Sequence, residues 1–213
     1  MAQDGRPMAD RVPCKECGAE FLRTTAEATG GLCMACKQGI RENLNKSKEF
    51  YERTKLPDPE RDYWKQLIHR IYKTPEGYEG LAYPETVYYL GCVLNGEVVN
   101  GGFHQFFTNS SGERYQETLD ALEELGCFES RRLLTLVAEI FFPRGSPSKD
   151  RSERFGQMPD WDGPNPDHDP LWQTKSEELN DAFWAEPDDL SEKLTAYAIS
   201  NELFVPLPSD MSS

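Results

Sequence analysis

Four of the six cysteines stand in two pairs near the start of the chain: Cys14 and Cys17 in CKEC, then, after fifteen residues, Cys33 and Cys36 in CMAC. No other feature constrains the fold as strongly. Each C-x2-C turn presents two thiolates from one knuckle, and Zn2+ takes four such ligands in a tetrahedron. The spacing falls in the range of zinc sites. A segment of about 45 residues is too small to make its own core, so a bound metal would supply its folding energy. Four protein ligands leave no open position, so the expected metal is structural. The layout resembles treble-clef and zinc-ribbon modules in general. Two disulfides are the rival reading, disfavoured in a reducing compartment. A thioredoxin-like redox pair lacks its βαβ context. The run IRENLNKSKEFYER, residues 40–53, reads as a helix after the second knuckle.

A boundary is expected at TKLPDPE, residues 54–60, where two prolines interrupt a polar stretch. The expected parts are 1–56, the four-cysteine module with its helix; 57–206, an acidic helical domain; and 207–213, a tail. Charge divides along similar lines. Residues 1–60 carry ten basic and ten acidic side chains, whereas residues 61–213 carry 13 against 27. The entire net charge of −14 therefore belongs to the second part. Such a domain repels phosphates, which excludes direct DNA binding by it, and it lacks the basic residues of a membrane-surface protein. No apolar run approaches the roughly 18 residues of a membrane-spanning helix. The start, MAQDGRPMADRVP, has no apolar segment typical of a secretory signal. A cytoplasmic chain is the expectation.

Apolar residues after residue 60 recur at helical spacing. Trp64, Leu67, Ile68, Ile71 and Tyr72 form one stripe, and Val87, Leu90, Leu94 and Val98 a second. Tyr115, Leu119, Leu122 and Leu125 follow, then Leu133, Leu136, Val137, Ile140 and Phe141. Asp58-Pro59, Asp169-Pro170 and Glu186-Pro187 are helix-start signals. Ser110 with Glu113 reads as a capping box. Residues 143–170 read mainly as loop, with a short helix near 149–156. No convincing period-2 alternation appears in this part, so the expected fold is an all-α bundle of six to eight helices.

The run NGEVVNGGFHQFFTNSSG, residues 95–112, stands apart. Asn100, Gly101, Gly102, Phe103, Gln105, Phe106, Phe107, Asn109, Ser110, Ser111 and Gly112 match a pattern of the bacterial DNA-mimic protein family, which this domain resembles over roughly residues 61–204. The flanks RYQETLDALEELG and ESRRLLTLVAEIFF and the tail LNDAFWAEPDDLSEKLTAYAISNELF are similar too. The resemblance implies an all-α fold and the binding of a DNA-binding protein in place of DNA. The cysteine module is not part of the family's pattern. Read from the residues themselves, the motif is a helix junction: Gly101-Gly102 breaks one helix from the next, the phenylalanines are core, and Asn109 and Ser110 suit a turn. A ligand or catalytic role for Asn100, His104, Gln105 and Asn109 is the rival reading.

The carboxylates are candidate partner-binding residues. On an ideal helix Glu113, Glu117, Asp120 and Glu124 lie within about 60° of one another and span roughly 16 Å. Glu177 and Asp181 (with Glu178), the loop cluster Asp160, Asp162, Asp167 and Asp169, and Asp188 and Asp189 (with Glu192) extend the set. Simple solubility is the bland reading of such charges. The segment DWDGPNPDHD does not match a calcium loop, and no phosphate loop, G-x-S-x-G or G-x-G-x-x-G occurs. The expectation is a non-enzymatic protein-binding module whose partner is a basic DNA-binding protein. A zinc-dependent nucleic-acid or protein adaptor with a structural helical domain is the alternative. A homodimer is compatible with either.

Overall fold

The structure, a computed structural model, describes residues 10–53 and 55–207. Residues 208–213 of the expected tail, and the first nine residues read for a signal, lie outside the described residues. The chain forms two compact units, Met1–Asp58 and Pro59–Ser213. The division falls at Asp58-Pro59, two residues beyond the expected boundary.

The first unit opens with an antiparallel hairpin, β1 (Arg11–Pro13) and β2 (Glu20–Leu22), in register Arg11 to Leu22 and Pro13 to Glu20. The CKEC knuckle is the turn of this hairpin: Cys14 N–H donates to Ala19 O at 3.0 Å and Gly18 N–H to Cys14 O at 2.9 Å. Helix α1 (Arg23–Thr29) follows. The CMAC knuckle forms α2 (Met34–Lys37), and α3 (Arg41–Arg53) comes next. Among the described residues the buried ones of this unit are Cys14, Cys33 and Cys36, flanked by Phe21, Leu32 and Ala35. Its interior is thus the cysteine cluster itself, as a module stabilised by a ligand requires.

Among the described residues the second unit contains seven α-helices and two 3-10 turns, and no strand. They are α4 (Pro59–Lys73), α5 (Tyr83–Thr108), α6 (Tyr115–Glu124), α7 (Phe128–Phe141), α8 (Arg151–Gln157), α9 (Trp172–Trp184) and α10 (Leu190–Ser200), with 3-10 turns at Tyr78–Gly80 and Ser110–Arg114. Helix α5 packs against α6, α8, α9 and α10, and α7 against α6 and α9. Five consecutive residues of α5, Val87 to Gly91, are buried, so this stretch of α5 is covered on every side, like a helix inside a large core. Phe103, Phe106, Phe107, Leu122, Leu134, Val137 and Phe141 fill the interior around it. No described helix is long and apolar enough to cross a membrane.

Three expected helix starts are corrected. Ser110 and Glu113 form no capping box, because the chain makes a 3-10 turn there and α6 begins at Tyr115 without a side-chain cap. Pro170 does not open a helix. Asp169 accepts the Leu171 N–H at 2.8 Å in a turn, and α9 begins at Trp172. The chain turns through Glu186 and Asp189, both at positive φ, and α10 begins at Leu190, not at Pro187.

Candidate functional site

The hairpin turn and the first turn of α2 bring Cys14, Cys17, Cys33 and Cys36 together, with all four Sγ atoms within 4.8 Å of one another. None is in a disulfide. The Cys17 and Cys33 sulfurs are 3.8 Å apart. A tetrahedral ion with metal–sulfur bonds of about 2.3 Å places its sulfurs roughly 3.8 Å apart, so the cluster fits such an ion. Two donors already point at these sulfurs: the Cys33 N–H donates to Cys14 Sγ at 3.3 Å, and Arg41 Nη2 to Cys33 Sγ at 2.8 Å. Backbone N–H groups of Cys33 and Cys17 lower the Cys14 thiol to about 6, whereas burial pushes Cys36 up to about 12. A metal bound there would release thiol protons, so its retention would weaken at low pH.

The motif at residues 95–112 is a built break in α5. Gly101 (φ −155°, ψ 25°) and Gly102 (φ 70°, ψ 179°) leave helical geometry. The φ of Gly102 excludes a side chain, and a Cβ there would meet the Asn180 amide at 2.7 Å. Helix α9 repairs the break from both sides. Asn180 Oδ1 accepts the freed Phe103 N–H at 2.9 Å, and Trp184 Nε1 donates to Val98 O at 2.9 Å. Phe103, Phe106 and Phe107 are buried, as core residues should be.

The motif's polar side chains converge on a residue that sequence reasoning passed over, Glu97. Gln105 Nε2 donates to it at 2.6 Å, Asn109 Nδ2 at 2.8 and 3.1 Å, and Ser111 Oγ at 3.3 Å. Asn100 Nδ2 donates in turn to Gln105 Oε1 at 2.9 Å. Ser110 is exposed. The i, i+4 relation of Gln105 and Asn109 put two amides on one face and was the available signal; their target lies across the break. Arg154 was missed as well. It is fully buried, and its guanidinium donates to Phe107 O, Asn109 O and Ser148 O, each at 2.7 Å. Gly112 makes room for it, since a Cβ there would meet Arg154 Nε at 2.6 Å.

The carboxylate ladder is corrected too. Glu113 precedes α6, in the 3-10 turn, and Glu117 is half-buried, accepting from Tyr78 Oη at 2.8 Å and from Arg114 Nη1 at 3.1 Å. Asp120 and Glu124 remain exposed on α6, as do Glu177, Glu178 and Asp181 on α9 and Asp189 and Glu192 at the start of α10. Asp188 is half-buried and caps α7 by accepting the Ser130 N–H at 2.6 Å. In the loop, Asp160 accepts the Asp162 N–H at 3.1 Å, Asp167 pairs with Arg144, and Asp169 with Lys175 at 2.5 Å. Among the described residues, Asp120, Glu124, Asp160, Asp162, Glu177, Asp181 and Asp189 form no ion pair, so their charge is uncompensated locally.

A cavity of about 280 Å3 opens beside Glu97, lined by Tyr72, Tyr78, Tyr89, Glu97, Glu113 and Arg114 over an aliphatic floor. Arg114 lies 3.7 Å from the Tyr78 ring centre and pairs with Glu79 and Glu117, both at 3.1 Å. Burial pushes the Tyr78 and Tyr89 phenols up, so both stay neutral donors.

The second unit is thus an acidic helical domain built on one broken central helix, preceded in the chain by a four-cysteine module. A family model described as DMP19-like protein matches residues 79–201, more than half of the 213 residues. The chain belongs to this DMP19-like family. The match takes in the broken helix and its polar network but neither α4 nor the cysteine module. No curated protein and no solved structure matches the chain.

Proposed function

We propose that the acidic unit binds a basic DNA-binding protein in the place of DNA, and that the four thiolates hold a structural Zn2+. The observation that carries the first reading is the pairing of family membership with a charge excess confined to this unit and left exposed along α6, α9 and α10. Carboxylates in that state attract a groove lined by lysine and arginine and speed its capture. The zinc reading rests on a four-sulfur set, which suits Zn2+ and leaves no site for catalysis. The module would then serve as a rigid attachment. Leu44 and Phe50 of α3 are exposed, which favours a protein over a nucleic acid as its contact.

The test is capture of partners from bacterial lysate on the intact chain at low and high salt, with duplex DNA as competitor. A DNA-binding protein released by salt and displaced by DNA supports mimicry. Neutralising Asp120, Glu124, Glu177 and Asp181 together must then weaken that capture. Partners indifferent to both salt and DNA would reduce the charges to a solubility device.

A further inference from the structure

We propose that the cavity beside Glu97 is a binding site for one alkylammonium or guanidinium group, supplied by a lysine or arginine side chain of the partner. The cation site stands on the cavity alone; only its source rests on the mimic reading. The argument starts from Glu97. Every group that donates to its carboxylate is neutral: the amides of Gln105 and Asn109 and the hydroxyl of Ser111. These bonds fix the carboxylate in place without supplying a positive charge, and among the described residues no cation pairs with it. They also occupy its lone pairs, so it acts on a ligand as a fixed charge rather than as a forked acceptor.

The remaining lining matches a cation. Tyr72, Tyr78 and Tyr89 line it beside Glu97, and aromatic rings attract ammonium and guanidinium groups. The hydroxyls of Tyr72 and Tyr89 are linked at 3.1 Å, which sets their rings. Glu113 at the rim is exposed and adds a second negative charge. The chain already shows this chemistry once: Arg114 seats its guanidinium on Tyr78 and binds Glu79 and Glu117. Arg114 lines the cavity too, but its ion pairs go to Glu79 and Glu117, and among the described residues none is made to Glu97. A volume of about 280 Å3 is below the range of drug-sized ligand sites and fits one side chain.

The test uses the intact, metal-loaded chain and small probes followed by amide NMR shifts. The probes are Nα-acetyl-arginine methylamide, Nα-acetyl-lysine methylamide, the neutral Nα-acetyl-citrulline methylamide, and putrescine as a free amine. The proposal expects saturable shifts at Val93, Ser110, Ser111 and Arg114 with the blocked arginine or lysine and none with citrulline. Glu97→Gln should weaken binding by about tenfold or more, the effect of one lost charge at close range. Glu113→Gln, at an exposed position, should weaken it about threefold and guards against a folding defect at Glu97. Equal shifts with citrulline, or no saturable shift with any cation, overturn the site. Tighter binding of putrescine than of either blocked amino acid overturns the side-chain source. No DNA-binding protein enters this assay, so its failure is separate from failure of mimicry.

Discussion

Replacing Arg154 with methionine should destabilise the second unit more than any change at its surface. The side chain is fully buried and closes the end of α5, where helix carbonyls lack partners. Its guanidinium satisfies Phe107 O, Asn109 O and Ser148 O at 2.7 Å and Lys149 O at 3.2 Å. Methionine keeps much of the volume and removes every donor. Phe107 O, left bare in the interior, costs about 1–3 kcal/mol, and the lost bonds to the half-buried Asn109 O and Ser148 O add about 1 kcal/mol each, roughly 3–5 kcal/mol in all. Relief of the cation's own desolvation offsets part of this, since burial disfavours the charged form of Arg154. A net loss of about 3 kcal/mol follows, or a fall of about 6–12 °C in Tm for a domain of this size. Arg151 is the control. It donates to the neighbouring Thr108 O at 2.8 Å from an exposed position, and Arg151→Ala should cost about 1 kcal/mol or less. All four tryptophans, Trp64, Trp161, Trp172 and Trp184, lie in the second unit. Urea unfolding followed by tryptophan emission therefore reads this unit alone. A loss at Arg154→Met below about 1 kcal/mol, or no larger than at Arg151→Ala, would refute the reasoning.

Further outcomes are open to measurement. Gly102→Ala places a Cβ at a φ of 70° and against Asn180, and should lower stability by about 2–4 kcal/mol in the same urea assay; an unchanged midpoint contradicts the built break. His104 Nε2 accepts the Trp161 Nε1–H at 2.9 Å, and burial lowers this imidazole below its ordinary 6.5. The folded state then binds fewer protons than the unfolded one. This contribution is complete above about pH 6.5 and is lost as pH falls below it. The difference in urea midpoint between the parent and His104→Gln should shrink from pH 7.5 to 5, and a constant difference contradicts the assignment. Metal removal by a chelator should cost helix content by circular dichroism while tryptophan emission stays constant, because the first unit has no tryptophan. Arg41→Ala, which deletes the donor to Cys33 Sγ, should weaken metal retention about 10–100-fold in a competition with a chromophoric chelator.

What could be read in the sequence depended on how local its cause was. The cysteine cluster was legible because each knuckle is a turn of a few residues and the ligand set is countable. The helix break was legible because Gly101-Gly102 is itself the cause. The groups that make the break tolerable were not, since Asn180 and Trp184 reach Phe103 and Val98 from far along the chain. Arg154 gave no signal, because an arginine in a polar loop-like stretch looks solvated until its carbonyl partners are folded around it. The Ser110-Glu113 pattern misled for the opposite reason. It was locally well formed, but the bend at Asn109 and the close approach of buried Arg154 to Gly112 go with a 3-10 turn there. The carboxylate ladder failed at Glu117, whose partner Tyr78 is distant in sequence and turns that side chain inward.

Mutual exclusion tests the central claim most directly. With a DNA-binding protein captured by the intact chain, the three components (protein, labelled duplex and chain) would be mixed and separated by size with multi-angle scattering. The account predicts that the chain and the duplex compete for one site, that no particle contains all three, and that the apparent affinity of the chain falls as salt rises. A stable ternary complex, or an affinity independent of salt, would contradict it.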